Sequence, residues 1–117
     1  MKRKALGFGK GFRLAVGNAH SQAAELVIPL DGTEGGPTYR HHGSDQWLYI
    51  VEGTGTATVN GHRYPLKPGV IMLIEQGDTH ELRSTGPTAL KTLNVYVPPA
   101  FKDNETPLRA GKPSKPS

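Results

Sequence analysis

Apolar residues along this 117-residue chain come in short runs, each closed by Gly, Pro, Asn or Asp. That punctuation predicts strands over 12–16, 24–30, 38–41, 46–52, 56–60, 62–66, 70–75, 79–84 and 89–97. Strand side chains alternate between faces, so in QWLYIVE Gln46, Leu48 and Ile50 share one side and Trp47, Tyr49 and Val51 the other. In THELRS the set His80, Leu82 and Ser84 shares a side, whereas VIMLI (70–74) is apolar on both faces. Asn60-Gly61 separates two of these runs, and a type I′ hairpin turn needs positive φ at both of its central residues, which Asn and Gly tolerate best. Many short strands with regular turn signals predict an all-β chain folded as a sandwich or barrel.

Composition supports that class. One core is what a chain of this length can build, and 15 Gly, 10 Pro and only 21% charged residues suit strands and turns better than long helices. With no cysteine, disulfides, zinc ribbons and thiol nucleophiles are excluded. The net charge of +4 resides at the ends: residues 19–101 carry five basic side chains against eight acidic ones, so the folded centre is mildly acidic and no nucleic-acid partner is expected. Lys10 and Arg13 interrupt any signal-like apolar run, and no stretch approaches the roughly 18 apolar residues of a membrane span. The expectation is a soluble, cytoplasmic protein without membrane contact. The glycines of GFGKG (7–11) follow no predicted strand and open no helix, unlike a phosphate loop. From residue 104 the chain turns polar and proline-rich, so a domain over 1–103 and a disordered tail over 104–117 are expected, with the tail and the first few residues dispensable for folding.

The remaining chemical signal is histidine. His20 and His62 sit in polar, turn-like contexts that suit surface residues, whereas His41, His42 and His80 stand where turns lead into strands. Histidines from two strands, both at turn–strand junctions, can converge at one end of a barrel, where metal and small-molecule sites form.

At this point the chain resembles the cupins, whose two motifs read G-x5-H-x-H-x(3,4)-E-x6-G and G-x5-P-x-G-x2-H-x3-N. The second is similar in register: Gly69, then Glu75 in the proline place, Gly77, His80, and Ser84 in the asparagine place. In the first, Gly53 lies seven residues after Gln46, which puts Gln46 at the glutamate position, and LYIVEG is similar to the family's YVLEG run. The longer spacing places His41 at the second histidine and Tyr39 at the first; the shorter one uses His42, with Arg40 in the first place. The resemblance covers residues 35–97 and implies a double-stranded β-helix, or jelly-roll barrel.

It also implies a divalent metal such as iron, manganese, nickel, zinc or copper, held here by His41 or His42, Gln46 and His80. Metal-dependent cupins use three histidines and a glutamate, so this set keeps two strong ligands. A glutamine carbonyl brings no charge and neutral tyrosine is a weak ligand, which leaves both a weaker metal site and a metal-free pocket open. The pocket is expected to be lined by Tyr39, Leu48, Ile50 and Leu82, suiting a small, partly hydrophobic ligand. Two functions follow from the resemblance: a metal-dependent enzyme of the dioxygenase, decarboxylase or isomerase type, or a binding or sensing module without turnover. The apolar outer face of Trp47, Tyr49 and Val51 needs cover, and a second subunit giving a homodimer would supply it.

Overall fold

The computed structural model describes residues 1–40, 43–104 and 106–107, with the side chains of Pro37 and Thr38 excepted. Its described elements are strands: β1 Gly11–Gly17, β2 Gln22–Ile28, β3 Thr33–Arg40, β4 Asp45–Glu52, β5 Gly55–Val59, β6 His62–Leu66, β7 Ile71–Ile74, β8 Thr79–Ser84, β9 Leu90–Val97, β10 Phe101–Asp103 and β11 Thr106–Pro107. Two antiparallel sheets, ordered β1-β2-β9-β4-β7 and β3-β8-β5-β6, face each other as a jelly-roll barrel, and β10 and β11 form a separate hairpin. Every predicted strand is present; β3 begins at Thr33, five residues before the apolar signal of TYRH.

Alternation decides which residues fill the barrel. Gln46, Leu48 and Ile50 of β4 are buried while Trp47, Tyr49 and Val51 are exposed, and β9 buries Leu90, Thr92, Asn94 and Tyr96 in the same period. From the facing sheet come Ala57, Leu66 and Leu82, so that Ile28, Leu48, Ile50, Ile74 and Leu90 pack against them in one continuous core. Each fully buried leucine or isoleucine contributes roughly 1.5–3 kcal/mol, an upper figure because an unfolded chain already hides part of that surface. A smaller cluster of Ala24, Tyr96 and Ala100, with Phe12, Leu14 and Phe101 against it, sits at the other end. Glycine is required at position 53: its φ is +90°, and a Cβ there would collide with the carbonyl oxygen of Ala89.

The hairpin between β5 and β6 holds the expected turn, with φ of 50° at Asn60 and 82° at Gly61. Asn60 also reaches outside its hairpin. Its Nδ2 donates to Asp78 Oδ1 at 2.9 Å, its Oδ1 accepts from the Thr79 amide at 3.0 Å, and its own amide donates to the Thr79 carbonyl at 2.9 Å. Asp78 Oδ2 in turn accepts from the Glu75 amide at 2.9 Å. The turn that delivers His80 to the barrel is thereby tied to the neighbouring hairpin.

The described residues include 104, 106 and 107 of the expected tail. Asn104 Oδ1 accepts from the Leu14 amide at 2.7 Å, and β11 pairs with β10; residues 108–117 of the expected tail lie outside the described residues. Among the described residues no helix is long and apolar enough to cross a membrane. Asn60→Ala is expected to cost about 1–3 kcal/mol, because it removes a residue that tolerates positive φ together with two hydrogen bonds to the 78–79 turn. Urea unfolding measures this, and a cost below about half a kcal/mol would show that the clasp does not hold the turn.

Candidate functional site

A cavity of about 290 Å³ opens at one end of the barrel. Each wall follows from strand register. Gln46 on β4 stands opposite Tyr96 on β9 and points inward with it. His80 enters from β8 in the facing sheet, followed two positions later by Leu82. Glu34 on the edge strand β3 is the register partner of Leu82, so both side chains lie on the cavity face. Phe12 and Phe101 close the outer rim together with Asn104 and Pro107.

Behind this wall runs a chain of buried hydrogen bonds. The Leu26 carbonyl can only accept, and it accepts from Thr92 Oγ1 at 2.9 Å. Thr92 Oγ1, its proton committed, accepts from Asn94 Nδ2 at 3.0 Å, which turns Asn94 Oδ1 toward β4. Gln46 must then present its NH2, and Nε2 donates to Asn94 Oδ1 at 2.8 Å. One acceptor at the far end thus sets the orientation of two amides. Gln46 Oε1 is left on the other side, buried and without a hydrogen-bond partner among the described residues. Such an atom costs about 1–3 kcal/mol unless a ligand or water satisfies it.

Burial also controls the ionisable groups. It lowers the pKa of His80, with the Asp78 backbone bond and the Asp78 charge acting in the opposite, lesser sense, so the imidazole is neutral near pH 7. Desolvation raises Glu34 above the usual carboxylate value. Burial first, and then the charge of Glu34, push up the hydroxyl of Tyr39; Tyr96 is raised by burial and, to a lesser extent, by Tyr39 and Glu34. Tyr39 and His80 meet edge to face, with ring centroids 5.1 Å apart.

The sequence profile of the cupin domain family matches residues 26–96, more than half of the chain. The chain belongs to the cupin family. An L-ectoine synthase of Mycolicibacterium gilvum is 43% identical over 63 residues, which cover 52% of this cupin and 45% of that protein. An oxalate-binding protein of Thermotoga maritima is 30% identical over 74 residues, covering 63% of this chain and 60% of that one. The match therefore spans about half to three-fifths of these relatives. A crystal structure from Bacillus halodurans superposes with a TM-score of 0.69 at 24% identity, covering 83% of this chain and 76% of that one, and shares the fold.

Of the cupin motif positions, Gln46, His80 and Tyr39 line the cavity, as does Leu82. Leu48 and Ile50 follow Gln46 on the same face but lie deeper, in the packed core, and are not among the cavity-lining residues, because side chains of the facing sheet fill the space in front of them. His41 and His42 lie outside the described residues. Among the described residues no three His, Asp or Glu side chains gather as a metal-holding group. The described part of the site fits a metal in part: Gln46 Oε1 is an orphaned oxygen donor and His80 supplies an imidazole on the same cavity. Sequence reasoning missed Asn94, Tyr96, Glu34 and the pair Phe12 and Phe101. The first two carry a signal in hindsight, since Leu90, Thr92, Asn94 and Tyr96 alternate inward with two polar residues in mid-strand. Glu34 precedes the apolar signal of its strand, and the two phenylalanines meet only through tertiary packing.

The His80 shift has a definite pH consequence. Below its ordinary value of 6.5 the unfolded chain takes up the proton before the folded one, so this group removes stability as pH falls from 6.5 to its lowered folded value. Glu34 acts in the opposite sense, its contribution being present at low pH and lost as pH rises from 4.5 through its raised value. In chelator-treated protein, urea midpoints between about pH 4 and 8 should rise less steeply through the histidine window in His80→Asn than in wild type. Equal slopes would mean that His80 is not held neutral by burial.

Proposed function

We propose that the mouth of this cupin barrel binds a small molecule, polar at the end that meets Gln46, His80 and Tyr39 and apolar where it meets Leu82 and the rim rings. The observation that carries the reading is Gln46 Oε1, a buried acceptor without a described partner at the wall of a cavity of about 290 Å³. A bound donor group would offset the cost of that atom, and the apolar wall would supply the hydrophobic part of the affinity. The similarity to a T. maritima protein named for binding oxalate supports small-molecule binding, and the similarity to L-ectoine synthases supports an enzyme.

A divalent metal at the same place is the second reading, favoured by Gln46 and His80 lining one cavity from facing sheets. Gln46 Oε1, His80 and one of His41 and His42 would hold it. Such an ion supplies Lewis acidity, or redox chemistry if iron, manganese or copper, toward a small substrate. In that case Tyr39 and Glu34 orient the substrate beside it, and the barrel excludes bulk water. Ni²⁺, Zn²⁺ or Cu²⁺ should then raise the thermal midpoint, by about 2.7 kcal/mol of stability at one hundred times Kd. His80→Ala should abolish most of the shift. Gln46→Glu should enlarge it while lowering the metal-free midpoint, because a carboxylate oxygen would face Asn94 Oδ1 and force the buried relay to reverse. A metal response that survives His80→Ala sinks the metal reading and leaves the small-ligand reading standing.

We also propose a homodimer through the outer face of the five-stranded sheet, where Trp47, Tyr49 and Val51 are 43%, 42% and 38% exposed beside Leu73 and Ile71 of β7. Light scattering should give twice the chain mass at micromolar concentration. A monomer whose Trp47 is open to a soluble quencher would refute it.

A further inference from the structure

The small-ligand reading leaves open what kind of molecule the cavity takes, and the cavity wall itself bears on this. Its described carboxylate is Glu34, and neither lysine nor arginine is among the described lining residues. The described wall therefore holds an acidic side chain with no lysine or arginine to offset it. The fixed polar group at its back is acceptor-only, because the relay from the Leu26 carbonyl spends the Gln46 NH2 on Asn94. The outer wall is aromatic: Phe12, Tyr96 and Phe101 form a cluster with ring centroids 4.6 to 6.4 Å apart.

These features act in one direction. A carboxylate placed against Gln46 Oε1 sets acceptor against acceptor and gains no cation to balance it. An N–H cation gains a hydrogen bond to a buried carbonyl, a Coulomb attraction to Glu34, and attraction to the electron-rich ring faces. The tyrosine hydroxyls can donate or accept and decide nothing. Resting on the small-ligand reading, we infer that the mouth of this cupin selects a small organic ammonium, its N–H donated to Gln46 Oε1, its charge near the Glu34 carboxylate and its carbon skeleton against Phe12, Tyr96 and Phe101.

Three molecules with one carbon skeleton test this: 3,3-dimethylbutylammonium, 3,3-dimethylbutan-1-ol and 3,3-dimethylbutanoate, titrated calorimetrically into the full-length, chelator-treated protein at neutral pH. The ammonium should bind about tenfold more tightly than the alcohol, with the carboxylate weakest. Glu34→Gln, an isosteric change of an exposed side chain on the edge strand β3, should remove most of the ammonium preference, so that ammonium and alcohol bind within about twofold of each other. An alcohol or carboxylate that binds as tightly as the ammonium overturns the inference while leaving the small-ligand reading intact. So does an ammonium preference that survives Glu34→Gln, or a loss shared equally by alcohol and ammonium. No binding of any of the three at about 10 mM overturns both the inference and the reading beneath it.

Discussion

The mouth of the barrel depends on a hydrogen bond that never reaches solvent, the one from Gln46 Nε2 to Asn94 Oδ1. Inside a barrel an unpaired amide is costly and a paired one is stronger than in water, so a buried polar chain must be consistent along its whole length. Here consistency begins at a backbone carbonyl on β2 and passes through Thr92 and Asn94 on β9 before arriving at β4. The relay joins the three adjacent strands β2, β9 and β4 across the inner face of one sheet, and it leaves one oxygen of the cavity-lining Gln46 buried without a partner among the described residues. Rigidity and chemistry have the same origin.

The two ends of the barrel divide these tasks. At one end Leu48, Ile50, Leu82 and Leu90 are essentially inaccessible and fill the interior. At the other, the inward positions pass to Gln46, His80, Tyr96 and Glu34, and a cavity remains. Leu82 belongs to both, being part of the core cluster and of the cavity wall. His80 is held at the boundary because Thr79, immediately before it, is bound by Asn60 of the neighbouring hairpin. A substitution in that exposed turn would therefore be felt in the cavity.

Departures from the cupin pattern follow one logic. Gln46 stands where metal-dependent members carry a glutamate, and Tyr39 stands at a histidine place under the longer motif spacing; both keep a position on the cavity. What changes is charge: a neutral carbonyl replaces a carboxylate, and the described carboxylate of the wall moves to Glu34 on the edge strand. The motif positions on the cavity follow the family pattern while the electrostatics of the described wall are this chain's own. The names of similar proteins are accordingly weaker guides to its ligand than the side chains in the wall.

Much of the fold was legible in order of chain. Period-two alternation in QWLYIVE and THELRS placed Gln46 and His80 inward, Asn60-Gly61 announced the hairpin, and motif spacing brought β4 and β8 to one site, because strand geometry and turn chemistry are local properties. The same alternation put Leu48 and Ile50 on the cavity face without showing that they lie too deep to line it, since depth depends on what the facing sheet places in front of them. Glu34 could not be read from its neighbours, as it reaches the site through antiparallel pairing with Leu82, across 48 positions of sequence. Asn94 is the sharpest case. Its alternation marks it as inward, but its role rests on being 48 positions from Gln46 in sequence and one hydrogen bond away in space. The chain by itself thus determined which residues face inward and where turns fall, through sterics within a few residues. Only the tertiary structure decided which inward residues touch, which are packed over, and which polar atom is left without a partner, because those outcomes depend on the register between strands and on the distance between sheets.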